Sequence, residues 1–156
     1  MTPPLHGITV IDLSTQLPGP FATMLLRDLG ARIIKVEPPG GDAARLLDID
    51  MYAALNIGKT TVDINLRTTA GQAQLHALCA EADVVVEGFR PGVVDRLGAS
   101  YATLREIKPT LVYCSLSGYG QTGPYRALAG HDVNYLGVGG GAGRDLSLIH
   151  ISEPTR

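Results

Sequence analysis

The chain has 156 residues, with 15 acidic and 13 basic side chains and a formal net charge of −2. Hydrophobic residues make up 45% and charged ones 18%, which excludes wholesale disorder and leaves enough apolar surface for a core. A balance so near neutral offers no basic face to neutralise a phosphate polymer, so a dedicated nucleic-acid binder is excluded too.

The opening Met1-Thr2-Pro3-Pro4 has neither a basic start nor an apolar run, and no stretch is long and apolar enough to span a bilayer. No signal peptide or membrane association is therefore expected. Ile8 to Leu13 is a short β-branched run that predicts a buried strand. The turn Leu17-Pro18-Gly19-Pro20 follows, with Pro20 suited to the first turn of a helix. Phe21, Met24, Leu25, Asp28 and Leu29 fall at helical spacing, and Gly30 is a natural stop. Ile33 to Glu37 reads as a second strand, broken by Pro38-Pro39-Gly40-Gly41. Together these form one strand–helix–strand unit of the size a right-handed parallel crossover needs.

The pattern then repeats. An irregular stretch leads to a short strand over Thr61 to Leu66, and Leu75, Leu78, Cys79 and Ala82 mark one face of a helix capped by Thr68 or Thr69. Val84 to Val86 is another buried strand, ending in the loop Glu87 to Gly92. Short helices over Val93 to Leu97 and Tyr101 to Ile107 precede the last strand, Leu111 to Leu116, which empties into Gly118 to Pro124. Such alternation gives an α/β class with a parallel sheet, whose ligands bind at loops leaving the carboxyl ends of strands. Cys79 and Cys114 lack metal-ligand spacing and lie in apolar surroundings, so both are expected as buried, reduced thiols of a cytoplasmic protein. Beyond Gly139 to Arg144, the segment from about Asp145 to Arg156 completes no element, as expected of a fragment or a foreign extension.

Several partial motifs fail on inspection. Gly58-Lys59-Thr60 has the ending of a phosphate-binding loop, but position 53 is Ala53 where that motif needs glycine, and no strand runs into it. Glu37 sits where a ribose-binding carboxylate would lie, yet Ser14 to Pro20 lacks the glycine triplet that admits a diphosphate, which disfavours a nicotinamide enzyme. Gly139-Gly140-Gly141 reads as a flexible turn, and His6 and His76 as surface residues without partners.

Four loops, taken in order, resemble the family III CoA-transferases and, within them, the α-methylacyl-CoA racemase branch. They are Leu5 to Pro20 with its Pro18-Gly19-Pro20-Phe21 turn; Gly30 to Glu37; Glu87 to Val93 with Arg96-Leu97-Gly98; and Ser117 to Pro124 followed by Ala129-Gly130-His131-Asp132-Val133-Asn134-Tyr135. The resemblance runs from Leu5 to Arg144. It implies a Rossmann-like parallel sheet flanked by helices, the N-terminal part of a CoA-binding large domain over residues 1–144. It also implies a smaller second domain, an interlocked homodimer, and a chain covering roughly the first two fifths of the enzyme. Residues 145–156 are similar to nothing in that family and look like a translated sequencing adapter, a non-native tail.

The same resemblance assigns roles. An α-methylacyl-CoA racemase removes the α-proton of an acyl-CoA thioester and returns a proton on the opposite face. His131 is the implied base, and the backbone N–H of Asp132 the implied oxyanion donor. Leu17, Pro18, Asn65, Leu66, Arg67, Gly88, Phe89, Arg90 and Arg96 are the implied lining of the CoA groove, Arg90 and Arg96 as phosphate holders. Coenzyme A enters as part of the substrate, with no permanently bound cofactor and no metal. The transferases of the family usually carry another residue at the histidine position and work through an aspartate that forms a mixed anhydride. That aspartate position would follow Arg144, so this chain alone is expected to be inactive. Two departures bear on CoA affinity: Pro38 stands where many relatives have an arginine, and Lys59-Thr60 replaces a Lys-Arg pair.

Overall fold

Where β-branched residues run together the chain is extended and buried, and where apolar residues recur every three or four positions it is helical. The computed structural model describes residues 2–140; Gly141 to Arg144 and the segment 145–156, expected to be a non-native tail, lie outside the described residues. The elements in chain order are β1 (Thr9–Asp12), α1 (Pro18–Asp28), β2 (Arg32–Glu37), α2 (Ala44–Leu47), α3 (Ile49–Asn56), β3 (Thr60–Asp63), α4 (Thr69–Glu81), β4 (Val84–Glu87), α5 (Val93–Arg96), α6 (Tyr101–Ile107), β5 (Val112–Ser115) and α7 (Asp132–Val138). They fall into two compact units, Met1–Ser117 and Gly118–Arg156.

All five strands of the first unit are parallel, in the order β3-β2-β1-β4-β5. This is the order of the first five strands in doubly wound sheets. Ile11 of β1 pairs with Ile34 of β2 on one side and Val85 of β4 on the other. Because side chains alternate along a strand, Ile11, Ile34, Val36 and Val85 enter one core layer with Leu75 and Cys79 of α4 and Leu104 of α6. Val10, Ile33 and Val86 form the layer on the opposite face, with Leu26 of α1 packed against them. Thr68 caps α4 as expected, accepting from the Gly71 N–H.

The sequence reading needs four corrections. α1 presents Gly19, Pro20 and Thr23 to the sheet, while Phe21, Leu25 and Leu29 stay nearly half exposed. Small residues there let the helix lie close enough for Thr23 Oγ1 to reach Asp12 Oδ2 at 2.6 Å. The stretch expected to be irregular holds α2 and α3, the second capped by Asp48, whose Oδ1 accepts from the Met51 N–H at 2.9 Å. Cys114 is exposed rather than buried, because it alternates onto the uncovered face of the edge strand β5; Cys79 is buried, and both are free thiols. His76 has a partner, its Nε2 lying 2.7 Å from the Gly98 carbonyl.

Buried charge is concentrated where the strands end. Asp12, Lys35, Glu37 and Glu87 all lie in or at the last turns of β1, β2 and β4 and are essentially inaccessible. Lys59, just before β3, extends its ammonium to Asp12 Oδ2 (3.1 Å), the Pro20 carbonyl (2.9 Å), Thr23 Oγ1 (2.8 Å) and Asn56 Oδ1 (2.9 Å). Burial pushes the Lys59 ammonium below the usual lysine range, against the opposing pull of Asp12. This is the environment of an internal ion pair, and it agrees with rejecting Lys59 as a phosphate-loop lysine. Removing one partner of a buried pair leaves an uncompensated charge. Lys59→Met should therefore cost the chain about 3–5 kcal/mol of stability, read as a lower urea midpoint at unchanged slope. A loss below about 1 kcal/mol would show that the pair does not hold these elements together.

Candidate functional site

In a parallel sheet every strand delivers its following loop to one edge. With this strand order the loop after β1 departs toward β2 and the loop after β4 toward β5, opening a crevice between them. Ser14 and Gly88 face each other there: a Cβ on Gly88 would sit 3.5 Å from that of Ser14. Ser14 is fixed from three sides. Its N–H donates to Asp12 Oδ1 at 3.0 Å, its hydroxyl donates to the same oxygen, and its carbonyl accepts from Lys35 Nζ at 2.9 Å. Lys35 in turn pairs with Asp42 Oδ2 at 3.1 Å, both side chains inaccessible. Beyond Ser14 the loop is exposed through Thr15, Gln16, Leu17 and Pro18. Gln16 has φ +67°, the left-handed region a side chain rarely adopts. Leu17 is the N-cap residue of α1 and Pro18 its first residue.

Across the crevice, Glu87 Oε2 accepts the Phe89 N–H at 2.7 Å and so sets the path of Gly88 and Phe89. Phe89 packs against the core while Arg90 is exposed beyond it. After β3, Asn65 Oδ1 accepts the Arg67 N–H at 3.1 Å, closing a tight turn that exposes Asn65 and Arg67 and half-buries Leu66. Gln72 of α4 ties this turn to α5: its Nε2 donates to the Leu66 carbonyl at 3.1 Å and to the Arg96 carbonyl at 3.4 Å. The expected groove residues thus follow β1, β3 and β4 at one edge of the sheet, Pro18 and Arg96 already in helices, with Asn65 to Arg67 and Arg96 joined through Gln72. Sequence reasoning missed Gln72, Ser14, Lys35 and Glu87. Only the place of Ser14, Lys35 and Glu87 at strand ends hinted at them; nothing local marked Gln72, inside α4.

At the end of β2, Glu37 is surrounded. Its Oε1 accepts the Tyr52 hydroxyl at 2.5 Å, and its Oε2 accepts from Arg45 Nε (3.2 Å), Arg45 Nη2 (2.9 Å) and the Asp42 N–H (3.2 Å). Burial, reinforced by the bond to Glu37, pushes the Tyr52 hydroxyl up to about 12.

The second unit carries the other expected residues. His131 is exposed and is the N-cap residue of α7, so the backbone N–H of Asp132 is the first of the helix. The first N–H groups of a helix have no acceptor inside it, which leaves them to a ligand or water. The His131 N–H donates to Asn134 Oδ1 at 2.9 Å. Tyr135 returns to the loop before the helix, donating its hydroxyl to the Gly130 carbonyl at 2.8 Å, and its ring meets that of Tyr119 edge-on at 5.3 Å. A Cβ at Gly130 would lie 2.7 Å from the Tyr135 ring and 2.8 Å from the Tyr119 hydroxyl, so only glycine fits between them. Two aromatic rings therefore fix the backbone that presents His131.

Among the described residues no cluster of His, Cys, Asp or Glu is suited to hold a metal ion, and no helix is long and apolar enough to cross a membrane. The family model described as CoA-transferase family III matches residues 5–145. The chain is 40% identical to a human succinyl-CoA:glutarate CoA-transferase, over 97% of this chain and 35% of that one. It is 41% identical to the human α-methylacyl-CoA racemase, over 87% of this chain and 34% of that one. A crystal structure of a CAIB/BAIF family protein from Brucella suis superposes with a TM-score of 0.85 at 40% identity, covering 90% of this chain and 40% of that one. The chain thus spans about a third of the length of these curated relatives.

The Tyr52 bond predicts an alkaline signature. A hydroxyl whose folded-state value is raised from 10 to about 12 adds stability that is complete below pH 10 and lost as the pH climbs through about 12. Tyr52→Phe should remove that part of the decline. Urea midpoints measured for both chains from pH 9 to 12 test it, and parallel pH slopes would refute the assignment.

Proposed function

This chain belongs to CoA-transferase family III, and on that footing we propose that it is the N-terminal part of an enzyme that epimerises 2-methylacyl-CoA thioesters. Residues 1–144 are the part of the large domain it contributes, and 145–156 are foreign to it. The parent's expected form is a cytoplasmic, interlocked homodimer. One observation supports the racemase reading: an exposed histidine, His131, stands directly before the first N–H of a helix. Base and oxyanion donor then share one turn of backbone.

The chemistry follows from the acidity of the substrate. A thioester acidifies the hydrogen on its α-carbon only modestly, so a base must be held against it while charge gathers on the carbonyl oxygen. His131 takes the proton, the C–H electron pair becomes the enolate double bond, and the Asp132 N–H donates to the enolate oxygen. A proton delivered to the opposite face from a carboxylic acid beyond residue 144 restores the C–H bond with inverted configuration. The CoA portion lies along the strand-end loops: Arg90 and Arg96 hold phosphate oxygens, and Leu17, Pro18, Asn65, Leu66, Arg67, Gly88 and Phe89 line the groove. A guanidinium suits this task because its fork matches phosphate geometry.

A second reading is supported by the succinyl-CoA:glutarate CoA-transferase, which is as similar as the racemase. There a carboxylate from the missing segment would attack the thioester carbonyl, expel the CoA thiolate and form a mixed anhydride. Identity alone does not separate the two; the histidine at position 131 favours the racemase. In a full-length parent, deuterium should enter the α-position of a 2-methylacyl-CoA without any acceptor acid. His131→Ala should slow that exchange by about 10²-fold or more. Label moving from acyl-CoA to a free acid, with no exchange, would favour the transferase instead. The 156-residue chain should bind CoA yet show no α-proton exchange, and Arg90→Ala should weaken that binding by about tenfold. Unchanged affinity would remove Arg90 from the groove.

A further inference from the structure

In dinucleotide-binding doubly wound folds the acid following the second strand bonds the ribose 2′-hydroxyl, whereas a nearby arginine accommodates a 2′-phosphate. Glu37 ends β2 in this chain, but at 2% exposure it is out of a ligand's reach. Both of its oxygens are engaged, by Tyr52 on one side and by Arg45 and the Asp42 N–H on the other. The position that would contact ribose has therefore been turned into a support for Arg45.

Arg45 has the properties of a fixed cation at a ligand edge. Its side chain is 40% exposed, and its guanidinium lies over the Tyr52 ring at 4.1 Å. Nε and Nη2 point back to Glu37, while Nη1 takes part in none of these bonds. The arrangement depends on Gly41 (φ +86°): a Cβ there would lie 3.2 Å from Arg45 Cδ and Nε and 3.4 Å from Glu37 Oε2. Nearby, Lys35 is committed to Asp42 and the Ser14 carbonyl and is inaccessible, whereas Arg45 is a cation that a ligand can reach. We infer that Arg45 is the recognition site for a phosphomonoester on the ligand's ribose. The assignment rests on the CoA-thioester reading, since CoA carries such a phosphate at its ribose 3′ position.

Calorimetric titration of the 156-residue chain with CoA and with dephospho-CoA, which lacks only that phosphate, tests the inference. CoA should bind about tenfold or more tightly, and Arg45→Gln should bring the ratio to within about twofold of one while leaving dephospho-CoA affinity nearly unchanged. A role confined to supporting Glu37 would weaken both ligands together and leave the ratio intact, which overturns the assignment. A second measurement needs no variant: CoA, and not dephospho-CoA, should shield Arg45 from phenylglyoxal, read by peptide mass spectrometry. Equal shielding by both ligands overturns it. A wild-type chain that binds both ligands equally defeats the Arg45 assignment alone, whereas one that binds neither defeats the CoA-thioester reading beneath it.

Discussion

Lys59 and Lys35 bring positive charge to places water does not reach, and the carboxyl edge of the sheet is arranged around them. Moving an ammonium out of water costs several kcal/mol, even in a yielding protein interior. The cost is offset only when every proton finds an acceptor at good distance. Lys59 meets that demand by drawing together the end of β1, the start of α1 and the end of α3. Lys35 donates to the Ser14 carbonyl and is balanced in charge by Asp42 Oδ2 at 3.1 Å. Charge pairing thus decides how the loop after β1 leaves the sheet, and apolar packing alone would leave that path open. The left-handed Gln16 can persist because Ser14 before it and α1 after it are both held.

The arginines follow a different logic from the lysines. Arg90, in the loop after β4, and Arg96, the last residue of α5, are exposed on backbone tied down by Glu87 and Gln72 respectively. Arg45 is tied through its own side chain. For Arg45 a buried carboxylate, Glu37, sets the direction of the exposed cation, whereas for Arg90 and Arg96 the hold is on nearby backbone. Pre-placing charge in this way lowers what an anionic ligand must lose in ordering the site. In the second unit the same task falls to rings, with Tyr119 and Tyr135 closing on Gly130.

Much of the sheet was legible because its signals are local. Val84 to Val86 and Ile33 to Glu37 could be little else than buried strands, and Thr68 announced α4 by its position. α2 and α3 were hidden: four and eight residues are too few for a periodic pattern to show, and the prolines and glycines before them read as loop. The orientation of α1 was misjudged because Phe21, Leu25 and Leu29 make an apolar stripe, whereas contact distance to the sheet selected the small residues instead. The loops of the candidate site could be picked out by family likeness. Their supports could not, since Lys59 finds Asp12 47 positions away and Gln72 finds Arg96 24 positions away. Charged residues in a sequence are read as solvated by default, and here the default failed at the most consequential positions.

The chain contains three lysines, Lys35, Lys59 and Lys108, against ten arginines. Two of those three ε-amines are sealed inside, and the third is 24% exposed and lies 3.4 Å from Asp83. Thioesters acylate free amines spontaneously, while guanidinium groups are far poorer nucleophiles at neutral pH because they stay protonated. If the parent enzyme handles acyl thioesters as proposed, this distribution leaves guanidinium groups, rather than lysine amines, facing the substrate.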